Sequence, residues 1–232
     1  MKENYTHISI VLDRSGSMRS CQDATIEGLN SYISQQQRVK GEGTITLVQF
    51  DDLYEVNYEL LPLSKAPMLN FETYQPRRGG TALIDAIGRT IDSTGGRLAA
   101  MQENERPSRV IFVIQTDGAE NYSSEYISTG KDRYARVREM IKLQQEQYKW
   151  DFVFLGAGLE AFEQALTLNI NSKSSINYKG VNAASAFASV GRYTTAFREA
   201  ETMDGAQQTS FSSEDRQNAV SPKPPEKKQI IS

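Results

Sequence analysis

Two apolar runs in this chain each end abruptly on an acidic residue, and this pairing constrains the fold more than any other feature. His7-Ile8-Ser9-Ile10-Val11-Leu12 stops at Asp13-Arg14-Ser15-Gly16-Ser17, and Arg109 to Thr116 (RVIFVIQT) stops at Asp117-Gly118. A strand that is apolar along most of its length is buried on both faces, as in a parallel sheet with helices above and below. The second run is the more continuous and is expected to be the central strand. His7, the single histidine, is expected near a sheet edge in a structural role.

The segments between these runs alternate in period. Helical spacing spans Ser20–Val39 and is stopped by Gly41-Glu42-Gly43, and a strand pair, Thr44–Phe50 and Tyr54–Leu61, turns at Asp51-Asp52. That pair should form an antiparallel hairpin at the edge of the sheet. Pro62–Pro76 reads as a loop, and Gly79-Gly80-Thr81 leads into a helix carrying Leu83, Ile84, Ile87, Ile91 and Leu98. Further helices are expected over 131–148, 160–168 and 183–201, with strands over 151–155 and 174–178. The expected fold is α/β: a Rossmann-like, open, mostly parallel twisted sheet with one antiparallel edge strand and helices on both faces.

The 232 residues suffice for one such domain, placed at 1–201. From Thr202 the composition turns to Gln, Ser, Asp, Pro and Lys, and 202–232 is expected to be a disordered tail. A net charge of −3 without a dense Lys/Arg cluster argues against nucleic acid as a partner. No stretch approaches the roughly 20 apolar residues of a membrane span, and the N-terminus lacks the apolar core of a signal peptide. One cysteine, Cys21, permits neither an internal disulfide nor a sulfur cage for zinc. A cytoplasmic protein is the expectation.

In an open parallel sheet, ligands bind beyond the carboxyl ends of the strands, where the strand order reverses. Three segments should meet there: Asp13-x-Ser15-x-Ser17, Thr81, and Asp117. Two carboxylates and three hydroxyls are hard oxygen donors, suited to Mg²⁺, with Mn²⁺ or Ca²⁺ compatible, and poorly suited to copper or zinc. Residues two apart in an extended loop can point to one side, and Gly16 allows the turn between the serines.

Ile10 to Met18 (IVLDRSGSM), Gly79-Gly80-Thr81 and Thr116-Asp117-Gly118 together resemble the von Willebrand factor A-type family, over about residues 5 to 200. They match, in order, the three loops of its metal-ion-dependent adhesion site. The resemblance implies that Ser15 and Ser17 bind the metal directly and Asp13 mostly through water. Thr81 and Asp117 would bind directly or through water, depending on state. It also implies a protein partner that presents an Asp or Glu to the ion, since stand-alone bacterial and viral members act as adaptors, often with ring-forming ATPases.

The neighbours of these five residues carry weaker signals. Asp85, one turn after Thr81, is expected either behind the metal ligands or as a capping or solvated acid. Arg14 is expected to be exposed and Met18 packed, while Glu120, Asn121 and Tyr122 should sit on the rim beside Gly118 and set selectivity. Asp51-Asp52 reads as a hairpin turn only. Two other functions fit the same residues: a metal-dependent hydrolase or nuclease using Asp13 and Asp117, and a metal-free scaffold. The first lacks the additional acids and the evident base that such centres use, and no enzyme activity is expected.

Overall fold

A computed structural model describes residues 1–77 and 79–221, with the backbone alone over 159–162. The strands are β1 (Lys2–Asp13), β2 (Glu42–Phe50), β3 (Tyr54–Pro62), β4 (Pro107–Thr116), β5 (Asp151–Ala157) and β6 (Ser175–Tyr178). They form one sheet in the order β3-β2-β1-β4-β5-β6, in which only β3 runs antiparallel to its neighbour. The helices are α1 (Gln22–Arg38), α2 (Leu83–Ala100), α3 (Ala135–Gln147), α4 (Leu159–Thr167), α5 (Ala183–Glu199), α6 (Met203–Gln207) and α7 (Ser213–Val220). Among the described residues no helix is long and apolar enough to cross a membrane.

The sheet is buried on both faces, as its apolar runs require. Ile8, Ile10 and Leu12 of β1 enter a core with Leu29 and Ile33 of α1 and Phe187 and Val190 of α5. Val11, one residue out of step, enters the opposite core with Ile84 and Ile87 of α2, Phe112 of β4 and Val137 of α3. The alternation of Cβ atoms along a strand produces this two-sided division.

The strand order places β1 and β4 side by side in the middle, and two expectations change. His7 is not near an edge: it is fully buried in an inner strand, its ring nitrogens 3.0 Å from Thr44 Oγ1 and 3.1 Å from Ser9 Oγ. Burial in a site with hydroxyl partners keeps its ring neutral, with the pKa pushed down to about 3. β1 also begins at Lys2, five residues before the apolar run, because the polar segment 2–6 still finds partners in β2 and β4.

A third correction concerns the tail. Residues 202–221 are not disordered; they form α6 and α7, which return over the α1/α5 face. Ala206, Phe211 and Ala219 are buried, and the Phe211 ring lies 4.9 Å from that of Tyr193. Ser212 and Asp215 form a reciprocal capping box, and Arg192 Nε donates to Asp215 at 3.0 Å. Three well-spaced apolar side chains order a segment whose average composition is polar. The rest of the expected tail, 222–232, lies outside the described residues.

Candidate metal centre

From β1 the sheet extends outward through β2 and β3, and from β4 it extends the other way through β5 and β6, so a crevice opens above the carboxyl ends of the two middle strands. Asp13 closes β1 there, buried. Its Oδ1 accepts the Ser15 N–H at 2.7 Å and its Oδ2 accepts the Thr116 hydroxyl at 2.5 Å. From below, the Tyr74 hydroxyl donates to the Asp13 carbonyl at 2.7 Å. The chain then enters a 3-10 turn, Gly16–Cys21, with Met18 driven into the core beneath and its N–H on the Ser15 carbonyl at 3.1 Å. Gly16 opens that turn and is not one of the positive-φ glycines, so its role is not a left-handed bend.

This geometry brings the three loops together. Ser15 Oγ is 3.1 Å from Ser17 Oγ, and Ser17 Oγ donates to Asp117 Oδ1 at 2.6 Å. Thr81 joins them across Gly118. A Cβ placed on Gly118 would lie 3.0 Å from Thr81 Oγ1, a tight contact, and 3.7 Å from Asp13 Oδ2, so a side chain there would crowd the threonine hydroxyl. Asp13, Ser15, Ser17, Thr81 and Asp117 thus converge on one spot.

The charge balance of that spot is unusual. Burial pushes the Asp13 carboxyl up to about 6, and the nearby Asp117 charge adds to the effect. Burial raises Asp117 as well. Among the described residues no Lys, Arg or His forms an ion pair with either acid. Two adjacent, partly desolvated carboxylates with three hydroxyls and no cation make a donor set that a hard divalent ion completes. Among the described residues no cluster of three His, Cys, Asp or Glu occurs, so softer, nitrogen- or sulfur-based ligation is not offered here.

Met18 is packed as expected, whereas several other neighbouring residues take different roles. Arg14 is buried, not exposed. Its Nε lies 3.2 Å from Asp51 Oδ2 and its Nη1 2.5 Å from Glu55 Oε2. Asp51 is therefore more than a turn residue: its Oδ1 caps Leu53 N–H at 2.7 Å, and its carbonyl accepts Ala82 N–H at 2.9 Å at the start of the Thr81 helix. Arg14 is the cation closest in sequence to the site, yet its charge is directed to the β2–β3 hairpin.

Asp85 and Glu120 are neither solvated nor on an open rim. Asp85 accepts the backbone N–H groups of Ser124, Glu125 and Tyr126, at 2.8, 3.0 and 2.7 Å. Glu120, with 1% of its side chain exposed, accepts from the N–H groups of Ile84, Tyr122 and Ser123 at 2.9, 3.0 and 2.8 Å. Both carboxylates hold the segment after Asp117 against the N-terminus of α2. Asn121 completes the clasp: its Oδ1 accepts Thr81 N–H at 2.8 Å, and its own N–H donates to the Thr81 carbonyl at 3.1 Å. Gly80 is pinned beneath Tyr122, whose ring carbon would be 2.5 Å from any added Cβ, while Tyr122 itself stays 56% exposed. Of the three rim candidates, Asn121 and Tyr122 are exposed, and the Glu120 side chain is buried.

Thr116, Tyr74 and Asn121 act as positioning residues, a role that sequence reasoning assigns to none of them. Thr116 and Asn121 adjoin the acidic loop, so their proximity is readable. Tyr74 lies 61 residues from the carbonyl it supports, and nothing local marks it.

No protein-family model matches the chain, and no curated protein does. Solved structures do match. Proximal thread matrix protein 1 from the mussel byssus, described with a zinc-occupied MIDAS motif, aligns at 13% identity with a TM-score of 0.58, over 84% of this chain and 47% of its own. A von Willebrand factor type A structure from Catenulispora acidiphila aligns at 16% identity with a TM-score of 0.52, over 84% and 43%. The pilus adhesin SpaC of Lactobacillus rhamnosus GG, in an open conformation, gives 14% and 0.57, over 84% and 30%. This chain spans less than half the length of each, and at such identities the likeness is one of fold.

Proposed function

We propose that this chain, a von Willebrand factor A-type domain by fold, is a binding module that captures an acidic side chain of a partner protein through a divalent ion, Mg²⁺ in the cell. The observation that carries the reading is the convergence of Asp13, Ser15, Ser17, Thr81 and Asp117, with no cationic side chain among the described residues paired to either acid. When bound, the ion supplies an electrophilic position that accepts a carboxylate oxygen.

The protein's own residues set the rest. Where the hydroxyls bind directly and the carboxylates through water, the ion would keep much of its charge, which favours an incoming Asp or Glu. Thr116 and the Ser15 N–H hold the Asp13 carboxylate in one orientation. The Asn121–Thr81 clasp ties the threonine to the acidic loop, so these two donors move together. Asp85 and Glu120 hold backbone N–H groups, which leaves two acids at the centre among the described residues. That count supports binding over hydrolysis, because two-metal hydrolytic centres gather more carboxylates and a base.

Two measurements test the proposal. Mg²⁺ should stabilise the protein against heat, by about 2.7 kcal/mol at a hundredfold excess over its dissociation constant. The shift should vanish in Asp13→Ala and Ser15→Ala. A shift unchanged by both substitutions overturns the metal centre. Affinity capture in Mg²⁺ against EDTA, with Asp117→Ala as control, should yield a partner lost on chelation. Membership of an ATPase-containing cytoplasmic complex is part of the same proposal, and captured partners indifferent to both metal and Asp117 would refute it.

A further inference from the structure

At the far end of the sheet from the metal centre, a cavity of about 560 Å³ opens between α2, α3 and the first residues of β4. Its volume falls within the range of about 300–1,000 Å³ that holds small ligands. Leu98, Val110 and Trp150, each 5% exposed, form its apolar wall.

Three observations are left unexplained by internal packing. First, Gly95 and Gly96 stand side by side within α2 and line this cavity. Consecutive glycines disfavour a helix interior, and here they relieve no crowding: a Cβ on either would meet nothing within 4 Å. They leave bare helix backbone facing the cavity. Second, Arg106 also lines it, anchored through Nη2 to the Ala99 and Met101 carbonyls at 3.2 and 3.1 Å. Its Nε is buried and, among the described residues, has no hydrogen-bond partner, so the donor capacity of the guanidinium is not used up by internal packing. Third, the charges on the wall are unbalanced. Among the described residues neither Arg106 nor Lys149 forms an ion pair, while the one lining acid, Asp92, accepts the Tyr126 hydroxyl at 2.8 Å.

We propose that this cavity is a second binding site, which takes a small monocarboxylate with an elongated apolar body. The apolar part lies against Leu98, Val110 and Trp150, with the bare backbone at Gly95-Gly96 giving it room. The carboxylate lies beside the Arg106 guanidinium and Lys149, the two cationic side chains that line the cavity. An apolar wall beside these two cations is complementary to that chemistry, and to neither a neutral oil nor a hydrophilic anion.

Trp150 is the only tryptophan, so its fluorescence reports on this cavity alone. The full chain is titrated with decanoate below its micellar range. The site predicts a saturable change at one equivalent, weakened at least tenfold in Arg106→Gln and at least tenfold for 1-decanol, which has the same body and no charge. Gly96→Leu should abolish binding by filling the cavity. Because leucine is the better helix former and its Cβ has open space, that variant should keep its fold, checked by its melting temperature. Asp117→Ala should bind decanoate as the parent does. An absent or non-saturable response, an undiminished response in Gly96→Leu, or equal responses to decanoate and decyltrimethylammonium would overturn the assignment. So would a concentration-dependent dimer that decanoate does not dissociate, which would mean that a second copy covers the face.

Discussion

Arg14→Met should destabilise the protein by about 3 kcal/mol, although the position lies between two metal-loop residues and looks like a surface arginine. The magnitude follows from burial. The side chain of Arg14 is 4% exposed and that of Asp51 1%, so removing the guanidinium leaves a buried carboxylate without its partner, at a cost of about 3–5 kcal/mol. Arg77 Nε, 3.9 Å from the same carboxylate but on a side chain 52% exposed, moves the expectation to the low end. Glu55, 50% exposed, adds less than about 1 kcal/mol. The methionine keeps most of the apolar stem, so the loss measured is chiefly that of the charge. In a protein of this size, about 3 kcal/mol is a fall in melting temperature of about 6–12 °C. Urea denaturation at neutral pH of Arg14→Met, Asp51→Asn and the double variant closes the cycle. The Asp51→Asn change retains an acceptor for the Leu53 N–H and removes the charge, so the double variant should recover at least about 1 kcal/mol relative to Arg14→Met. A cost below about 1 kcal/mol for Arg14→Met, or a double variant no more stable than the single, would refute the buried-pair reasoning.

Acid should expose the neutral burial of His7. The folded state holds its pKa near 3 while the unfolded chain takes up a proton near 6.5, so stability is lost as pH falls from 6.5 toward 3. Relative to His7→Gln, the parent should lose about 1.4 kcal/mol per pH unit in that window, or about 2.7 kcal/mol by pH 4.5, and parallel urea-denaturation curves would contradict this. Truncation after Glu201 should cost about 3 kcal/mol or more, since it removes Phe211 and uncovers Tyr193 and the α1/α5 face; an unchanged melting temperature would restore the disordered-tail reading for 202–221. Gly118→Ala places a methyl 3.0 Å from Thr81 Oγ1, so Mg²⁺ affinity measured by calorimetry should fall about tenfold with little loss of stability, and equal affinity would remove Thr81 from the site.

Whatever depends on period and on order along the chain is legible in the sequence. Apolar runs at Ile8–Leu12 and Val110–Ile114 demand a strand covered on both faces, and the helical spacings between them demand a parallel sheet. The residues of the candidate metal centre are legible for the same reason. Asp13, Ser15 and Ser17 are neighbours in sequence, and Thr81 and Asp117 stand where a strand or turn hands over to a helix or loop, so local pattern locates them. Which charges are free is decided by tertiary contacts. Arg14 looks exposed next to Ser15, but the antiparallel β3 brings Glu55 to it, and Asp51 at the hairpin buries the pair. Asp85 reads as an acid behind the ligands, or a capping or solvated one, and Glu120 as a rim residue, until the fold brings the N–H groups of 124–126 and of Ile84 onto them. Tyr74 reaches Asp13 only because the 66–77 loop crosses beneath the strand end. Hydrogen bonding and ion pairing are settled by contacts between residues distant in sequence, and burial multiplies their energies. Period and composition carry no record of either, so two carboxylates that look alike in the sequence become, in one case, part of the candidate metal centre and, in the other, a clamp on the backbone.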